Sequence, residues 1–512
     1  MSWLDRAALA ALGGVLAYVA FEWGGVVRTG RYEYLLLLGL LAIILSLGRA
    51  RDEWAPLPGR VVGWTLALLP AYVLMQVVPL PVSLVRMLSS ARAEAVAALD
   101  QIGAKVNLTS LSVSPAATFQ SFLLVCGYLI IFLLVRELTW RFAVMPQSRP
   151  RLRVAPGFSP ARAALKGGAT ASETEALRYE DSGWLAIWPI VAIGALEAGL
   201  GLCQYFGGTG EQVRWGTYAN HNHYAGFLEM ALPFAVVYPV ALLRRTRSPG
   251  LSPVAPALGA CGVWALAGLM FAGIVHSFSR MGFIAALSSL FVMGTLAFGT
   301  RQLSWVAASR KRQIVTVGLV AALVLAGFVF LPPDKLILRF AQIASVEGLT
   351  AEGRINLWAA TIPLIRAYPF FGCGLGGYET AFMRFKVFEP LLTDDFAHND
   401  YLQLLAELGV VGFAIGATLA FSVVRTAVRR AVRSADPGAR YFAVACAGAL
   451  AAILLHSLAD FNLYIPANAM LLAWIAGMTA GLRFQVSRMS DWERPAYPKV
   501  ITVEAAEIGS RR

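Results

Sequence analysis

Apolar runs long enough to cross a bilayer recur twelve times along this chain. They fall at 7–26, 32–48, 61–80, 117–135, 184–205, 223–243, 255–275, 281–299, 313–331, 401–424, 441–459 and 464–482. A helix needs about 20 predominantly apolar residues to cross roughly 30 Å of hydrocarbon, and 32–48 is the shortest of the set. The runs are apolar throughout rather than alternating, which selects helices over the strands of a membrane barrel. Charge is scarce in proportion: 14% of the 512 residues are charged and 58% are hydrophobic, against roughly 25% charged in a soluble domain. The expected class is an all-α polytopic membrane protein with about 12 transmembrane helices. The first run, Ala7 to Phe21, lacks a small-residue cleavage site and reads as a retained helix rather than a leader.

The net charge of +13 raises the question of a nucleic-acid or other acidic partner, and its distribution answers it. With the N-terminus inside, 30 of the 43 Lys and Arg fall in cytoplasmic segments and 13 in periplasmic ones. Six of the latter sit in one loop too long to count toward the positive-inside rule. Arg244-Arg245-Thr246-Arg247, Arg310-Lys311-Arg312 and Arg429-Arg430 all fall inside. The charge therefore orients the chain in its membrane with both termini cytoplasmic, and no nucleic-acid partner is expected. Of the five cysteines, Cys126, Cys203, Cys261 and Cys446 lie in apolar runs and only Cys373 lies in a loop, so no disulfide framework is indicated.

The organisation that follows is transmembrane helices 1–4 in residues 1–135, a cytoplasmic linker at 136–183 and helices 5–9 in 184–331. A large periplasmic loop occupies 332–400, helices 10–12 occupy 401–482, and a cytoplasmic tail fills 483–512. The linker is rich in Pro, Arg and Ala and promises no chemistry. Within the periplasmic stretch 81–116, Val85 to Leu99 suits an interfacial helix. The large loop, with Trp358, Pro363, Tyr368, Pro369, Phe370 and Phe371, suits a small helical cap.

In so apolar a chain each periplasmic ionisable residue is conspicuous. All five histidines (His221, His223, His276, His398 and His456) fall at or near periplasmic helix ends. One such histidine is ordinarily an interfacial or capping residue; five on one face suggest a shared aqueous site. His398 opens the tenth helix in Asp394-Asp395-Phe396-Ala397-His398-Asn399-Asp400, with Asn399 or Asp400 as N-cap. The free amides and dipole there suit an anion, and a neutral imidazole suits proton abstraction. Arg280 lies in the short turn after His276, and Arg354 lies in the large loop beside Glu352. A guanidinium offers phosphate a planar fork of donors, although snorkelling for Arg280 and an ion pair with Glu352 for Arg354 explain the same positions. Gly372-Cys373-Gly374-Leu375-Gly376-Gly377 fits the dinucleotide fingerprint but lacks its strand and βαβ unit, so it reads as tight turns folding over a site. His221-x-His223 has no carboxylate cluster beside it, and neither a metal site nor any cofactor is expected.

Taken together, these residues resemble the O-antigen ligase and Wzy polymerase superfamily. The ligase pattern His-[Asn/Ser/Gln]-x9-Gly-x-x-Gly is met by His398-Asn399 followed by Gly409-Val410-Val411-Gly412. Arg-x3-Leu is met as Arg280-Met281-Gly282-Phe283-Ile284, with isoleucine in place of leucine. Gly353-Arg354…Trp358 resembles the second arginine motif; the stretches 220–226 and 456–462 are similar to others in the family. The resemblance covers roughly 184–482.

It implies a metal-independent, inverting glycosyltransferase of the GT-C type. The donor would be a glycan on undecaprenyl diphosphate, and the acceptor the lipid A-core or another glycan. Arg280 and Arg354 would hold the diphosphate and His398 would be the catalytic base, with Asn399, His221, His223 and Glu229 as candidates behind them. Alternatives are a repeat-unit polymerase for O-antigen or exopolysaccharide, or a protein O-oligosaccharyltransferase of the same family. A lipid-glycan flippase or transporter is weaker. Glu197 and Glu229 are the chief deep ionisable residues, and no inverted repeat is visible.

Overall fold

The computed structural model describes residues 3–27, 31–48, 54–56, 58–142, 183–208, 215–245, 254–299, 351–386, 394–434 and 436–482. In chain order its α-helices begin with α1 (Trp3–Phe21), α2 (Arg31–Gly48) and α3 (Arg60–Val77). Next come α4 (Val82–Leu88), α5 (Ser90–Gln101), α6 (Pro115–Phe142), α7 (Trp188–Phe206), α8 (His221–Arg245), α9 (Val254–His276) and α10 (Arg280–Gly299). The series ends with α11 (Ala351–Ala367), α12 (Tyr378–Phe382), α13 (Asp400–Arg433), α14 (Pro437–His456) and α15 (Pro466–Gly481). Two-residue strands, β1 (Leu80–Pro81) and β2 (Leu108–Thr109), pair antiparallel and close the loop that carries α4 and α5.

Nine of the described helices are long and apolar enough to cross a membrane: α1, α3, α6, α7 with the turn before it, α8, α9, α10, α13 and α14. The expected run at 32–48 forms α2, whose apolar part spans Tyr32–Gly48, and the run at 464–482 forms the 16-residue α15. The run at 313–331 lies outside the described residues, as do 143–182, 332–350 and 483–512.

Two expected boundaries move. α6 continues to Phe142, beyond the anticipated end at 135, because its charges are answered locally: Glu137 accepts from Arg141 Nε at 2.7 Å and from the Ala55 amide at 2.8 Å. α13 likewise runs to Arg433 and keeps Arg425, Arg429 and Arg430 on the helix rather than in a loop. The interfacial helix expected at 85–99 is two helices, split at Ser89, whose extended backbone (φ −150°) and hydroxyl cap α5.

α8 is the enclosed centre, with 72% of its span buried against 28% for α10 and α13. Helices in lipid gain no hydrophobic drive from meeting one another, so close approach rests on small residues. Gly477 and Gly481 of α15 do this against α6, where an added Cβ would stand 2.7 Å from the Phe132 carbonyl and 2.6 Å from that of Arg136. The outer wall of α2 carries exposed Leu36, Leu40, Ile43 and Leu47, as a lipid-facing helix should.

α13 is broken inside its span. Gly409 adopts φ 62° and ψ −178°, a conformation that is essentially glycine's alone. Backbone freed in the hydrocarbon region must find other partners, and the glycine-rich loop supplies them. The Val410 amide donates to the Pro369 carbonyl (2.9 Å), Cys373 N to Ala406 O (2.9 Å) and Gly374 N to Glu407 O (3.0 Å). From α3, Tyr72 Oη donates to Leu408 O (2.6 Å), while Gln76 Nε2 donates to Phe371 O (2.7 Å) and Glu407 O (2.9 Å). The loop from Tyr368 to Gly377 thus plugs a gap in α13.

Candidate active site

The candidate site forms where the ends of α8, α10, α13 and α14 meet α11. Asn399 is the N-cap of α13: its Oδ1 accepts from Tyr401 N and Leu402 N, both at 3.1 Å. Its Nδ2 donates to Leu458 O at 2.9 Å, which ties this helix start to the turn after α14. Asp400, the other cap candidate, faces that turn instead. Its amide donates to Ser457 O and Asp460 O, and its carboxylate accepts from Leu463 N. His398 sits just outside the cap with φ 48°, an uncommon conformation for a non-glycine residue. Gln403 Oε1 holds the Ala397 amide (2.9 Å), and Trp358 Nε1 of α11 donates to Ala397 O (3.0 Å).

The turn supplies a carboxylate. Asp460 Oδ1 lies 3.3 Å from His398 Nδ1 and 3.7 Å from His223 Nε2 at the start of α8. A carboxylate only accepts, so the hydrogen bond puts the proton of a neutral His398 on Nδ1 and leaves Nε2 as a free base. Phe461 stands edge-on to both imidazoles, with centroids 4.7 Å from His398 and 4.5 Å from His223, and stacks on Phe396 at 4.0 Å. Burial pulls the Asp460 carboxyl upward, but His223 and His398 at its oxygen and the charge of His456 outweigh it. The group is held well below the ordinary carboxylate range.

Both arginines join this cluster. Arg280 is the first residue of α10, and Arg354 lies on α11 one turn before Trp358. The Arg354 guanidinium is lowered first by burial. Asp460 opposes that shift, and Arg280 adds to it by repulsion, so the three charges share one neighbourhood. Arg354 Nε is buried with no hydrogen-bond partner, and among the described residues no salt bridge reaches either guanidinium. Glu352, the ion-pair partner that the sequence offers, lies outside the described side chains. Arg354 thus brings to the Asp460 cluster a buried guanidinium whose Nε has no partner.

Residues 265–417 match the family model described as O-antigen ligase. This segment belongs to the O-antigen ligase family. It contains Arg280, Arg354 and His398, and also the Gly409 break and Gly412, against which Tyr72 packs so closely that a Cβ would collide with its ring. No curated protein matches the chain. The family segment does not reach His223 or Asp460, which the fold brings to it from either side.

Of the further candidates, Asn399 and His223 are in the cluster. His221 packs on Trp215, 5.1 Å between centroids. Glu229 lies deeper and takes His456 Nδ1 at 3.0 and 3.1 Å. Glu197 accepts from Thr217 N (2.9 Å) and Oγ1 (2.6 Å), which fixes the turn ahead of α8. His276 bonds its own helix at Ala272 O (2.9 Å). Asp460 is the residue that sequence reasoning left unassigned, though it stood in the quoted stretch 456–462. An aspartate in a short turn between two apolar runs was the available signal. Among the described residues no three His, Cys, Asp or Glu side chains stand as a metal-binding group.

Proposed function

We propose that the protein transfers a glycan from undecaprenyl diphosphate to an acceptor hydroxyl on the periplasmic face of the inner membrane. The observation that carries this reading is the unpartnered, buried Nε of Arg354, whose guanidinium feels the charges of Arg280 and of the Asp460 that hydrogen-bonds the His398 imidazole. A lipid diphosphate supplies the acceptor oxygens that this guanidinium lacks. His398 Nε2 takes the proton of the acceptor hydroxyl while its oxygen attacks the anomeric carbon. The bond from that carbon to the diphosphate oxygen breaks, and undecaprenyl diphosphate leaves with its new charge against the two guanidinium groups. Fixed cations in a partly dry site favour that charge as it develops. Attack opposite the leaving group inverts the anomeric centre. Asp460 holds the imidazole in the tautomer that this step needs and stabilises it once protonated, as a carboxylate does behind other catalytic histidines. His223 shares the carboxylate and keeps it in place.

Lipid A-core is the acceptor that fits the Asn399 form of the histidine motif, and a growing glycan of the same repeat is the competing acceptor. Deletion of the gene followed by glycan analysis separates them. Undecorated lipid A-core with accumulated long lipid-linked chains is the outcome for a ligase. Decoration by a single repeat unit means a polymerase and overturns the lipid A-core assignment.

A further inference from the structure

Beneath the cluster lies a second pair that the proposed chemistry does not use. Glu229 of α8 and His456, the last residue of α14, are both fully buried, and the imidazole Nδ1 is shared by the two carboxylate oxygens at 3.0 and 3.1 Å. Ionisable side chains inside a membrane protein are costly and are retained where they perform a task. The helices that carry them are otherwise lined by buried apolar residues, among them Leu228, Met230, Ala231 and Leu232 on α8 and Ala449, Leu450, Ala452 and Ile453 on α14.

The position of the pair supplies the task. On α8, Glu229 lies six residues below His223, about 9 Å along the helix axis. On the other side, His456 lies four residues before Asp460, and its carbonyl accepts from the Ala459 amide at 3.0 Å to start the turn. The same two segments are therefore joined twice, by His223–Asp460 (3.7 Å) nearer the helix ends and by His456–Glu229 below. We infer that Glu229 and His456 are positioning residues. They lock the end of α14 to α8 and so fix where the 457–462 turn presents Asp460 to His398. The lock extends to α13, because Ser457 O and Asp460 O both accept the Asp400 amide and Leu458 O accepts Asn399 Nδ2. Without it, the turn and the imidazole that it orients drift together while Arg354, on α11, stays. Binding then survives and turnover falls.

This inference rests on the transferase reading, and one experiment tests both. The full chain is reconstituted in liposomes with a synthetic undecaprenyl-diphosphate oligosaccharide as donor. Purified lipid A-core and the lipid-linked oligosaccharide itself serve as alternative acceptors, and kcat and donor KM are measured separately. Glu229→Leu fills the volume but removes the acceptor; Glu229→Gln restores an acceptor for His456 Nδ1. The expected result is a folded Leu variant whose kcat falls on the order of 100-fold, the scale of a misplacement near 1 Å, with KM within about 2-fold of wild type. The Gln variant is expected to recover most of that loss. A Leu variant with wild-type kcat, one impaired in KM alone, or one absent from the membrane as folded protein overturns the positioning role. A wild-type protein that transfers to neither acceptor overturns the transferase reading and this inference with it.

Discussion

Asp460 keeps its charge in surroundings that oppose it, and that makes it the residue with the clearest pH signature. Its folded pKa lies well below the ordinary 3.8. For a lowered carboxylate, the stabilisation is complete above the unfolded value and is lost only as pH falls through the folded one. The melting-temperature gap between wild type and Asp460→Asn is therefore expected to hold from pH 7 to 5 and to narrow only below about pH 4. In transfer assays the same variant should lose about 100-fold or more in kcat, because an amide no longer enforces the Nδ1–H tautomer of His398. Arg354→Lys should lose about 100-fold in turnover, since one ammonium cannot reproduce a guanidinium's paired donors to a leaving diphosphate. Turnover within a few-fold of wild type in that variant would contradict the clamp.

Among the elements, the broken helix α13 is the most exacting. Gly409 combines φ 62° with ψ −178° and lies against the Phe370 carbonyl, so an added Cβ meets backbone rather than a yielding side chain. Gly409→Ala should cost about 1–3 kcal/mol in backbone strain alone and more through that collision, read as a fall in melting temperature of the detergent-solubilised protein. Gly416, further along the same helix, has open space at its Cβ position and serves as the control: Gly416→Ala should leave the melt unchanged or raise it. Unequal legibility follows from the same physics. Helix positions were readable because apolar length is a local property of sequence. The pairing His398–Asp460 was not, because it joins residues 62 apart through two turns. The Gly-x-x-Gly motif was legible as a pattern, but its reason is the insertion of Pro369 and Phe370 at the break, a contact that no local spacing encodes. Charged ends misled in the opposite direction. Residues 136–142, expected at the start of the linker, are instead the last turns of α6, where Glu137 pairs with Arg141.

At the scale of the whole molecule, the arrangement places every cluster residue at one end of an up-and-down bundle. The positive-inside distribution of Lys and Arg predicts that this end faces the periplasm. In a background free of native cysteines, Gln101→Cys at the end of α5 should react with a membrane-impermeant maleimide in intact cells, while Arg433→Cys should react only after permeabilisation. The reverse pattern would put the cluster in the cytoplasm and remove the lipid-linked donor from its reach. The most direct test of the central claim is transfer by purified His398→Ala protein in liposomes, with undecaprenyl-diphosphate oligosaccharide as donor and wild type beside it. The account predicts a protein that reaches the membrane folded, with a cooperative melt, and forms no glycan product. Product formed at the wild-type rate would contradict it.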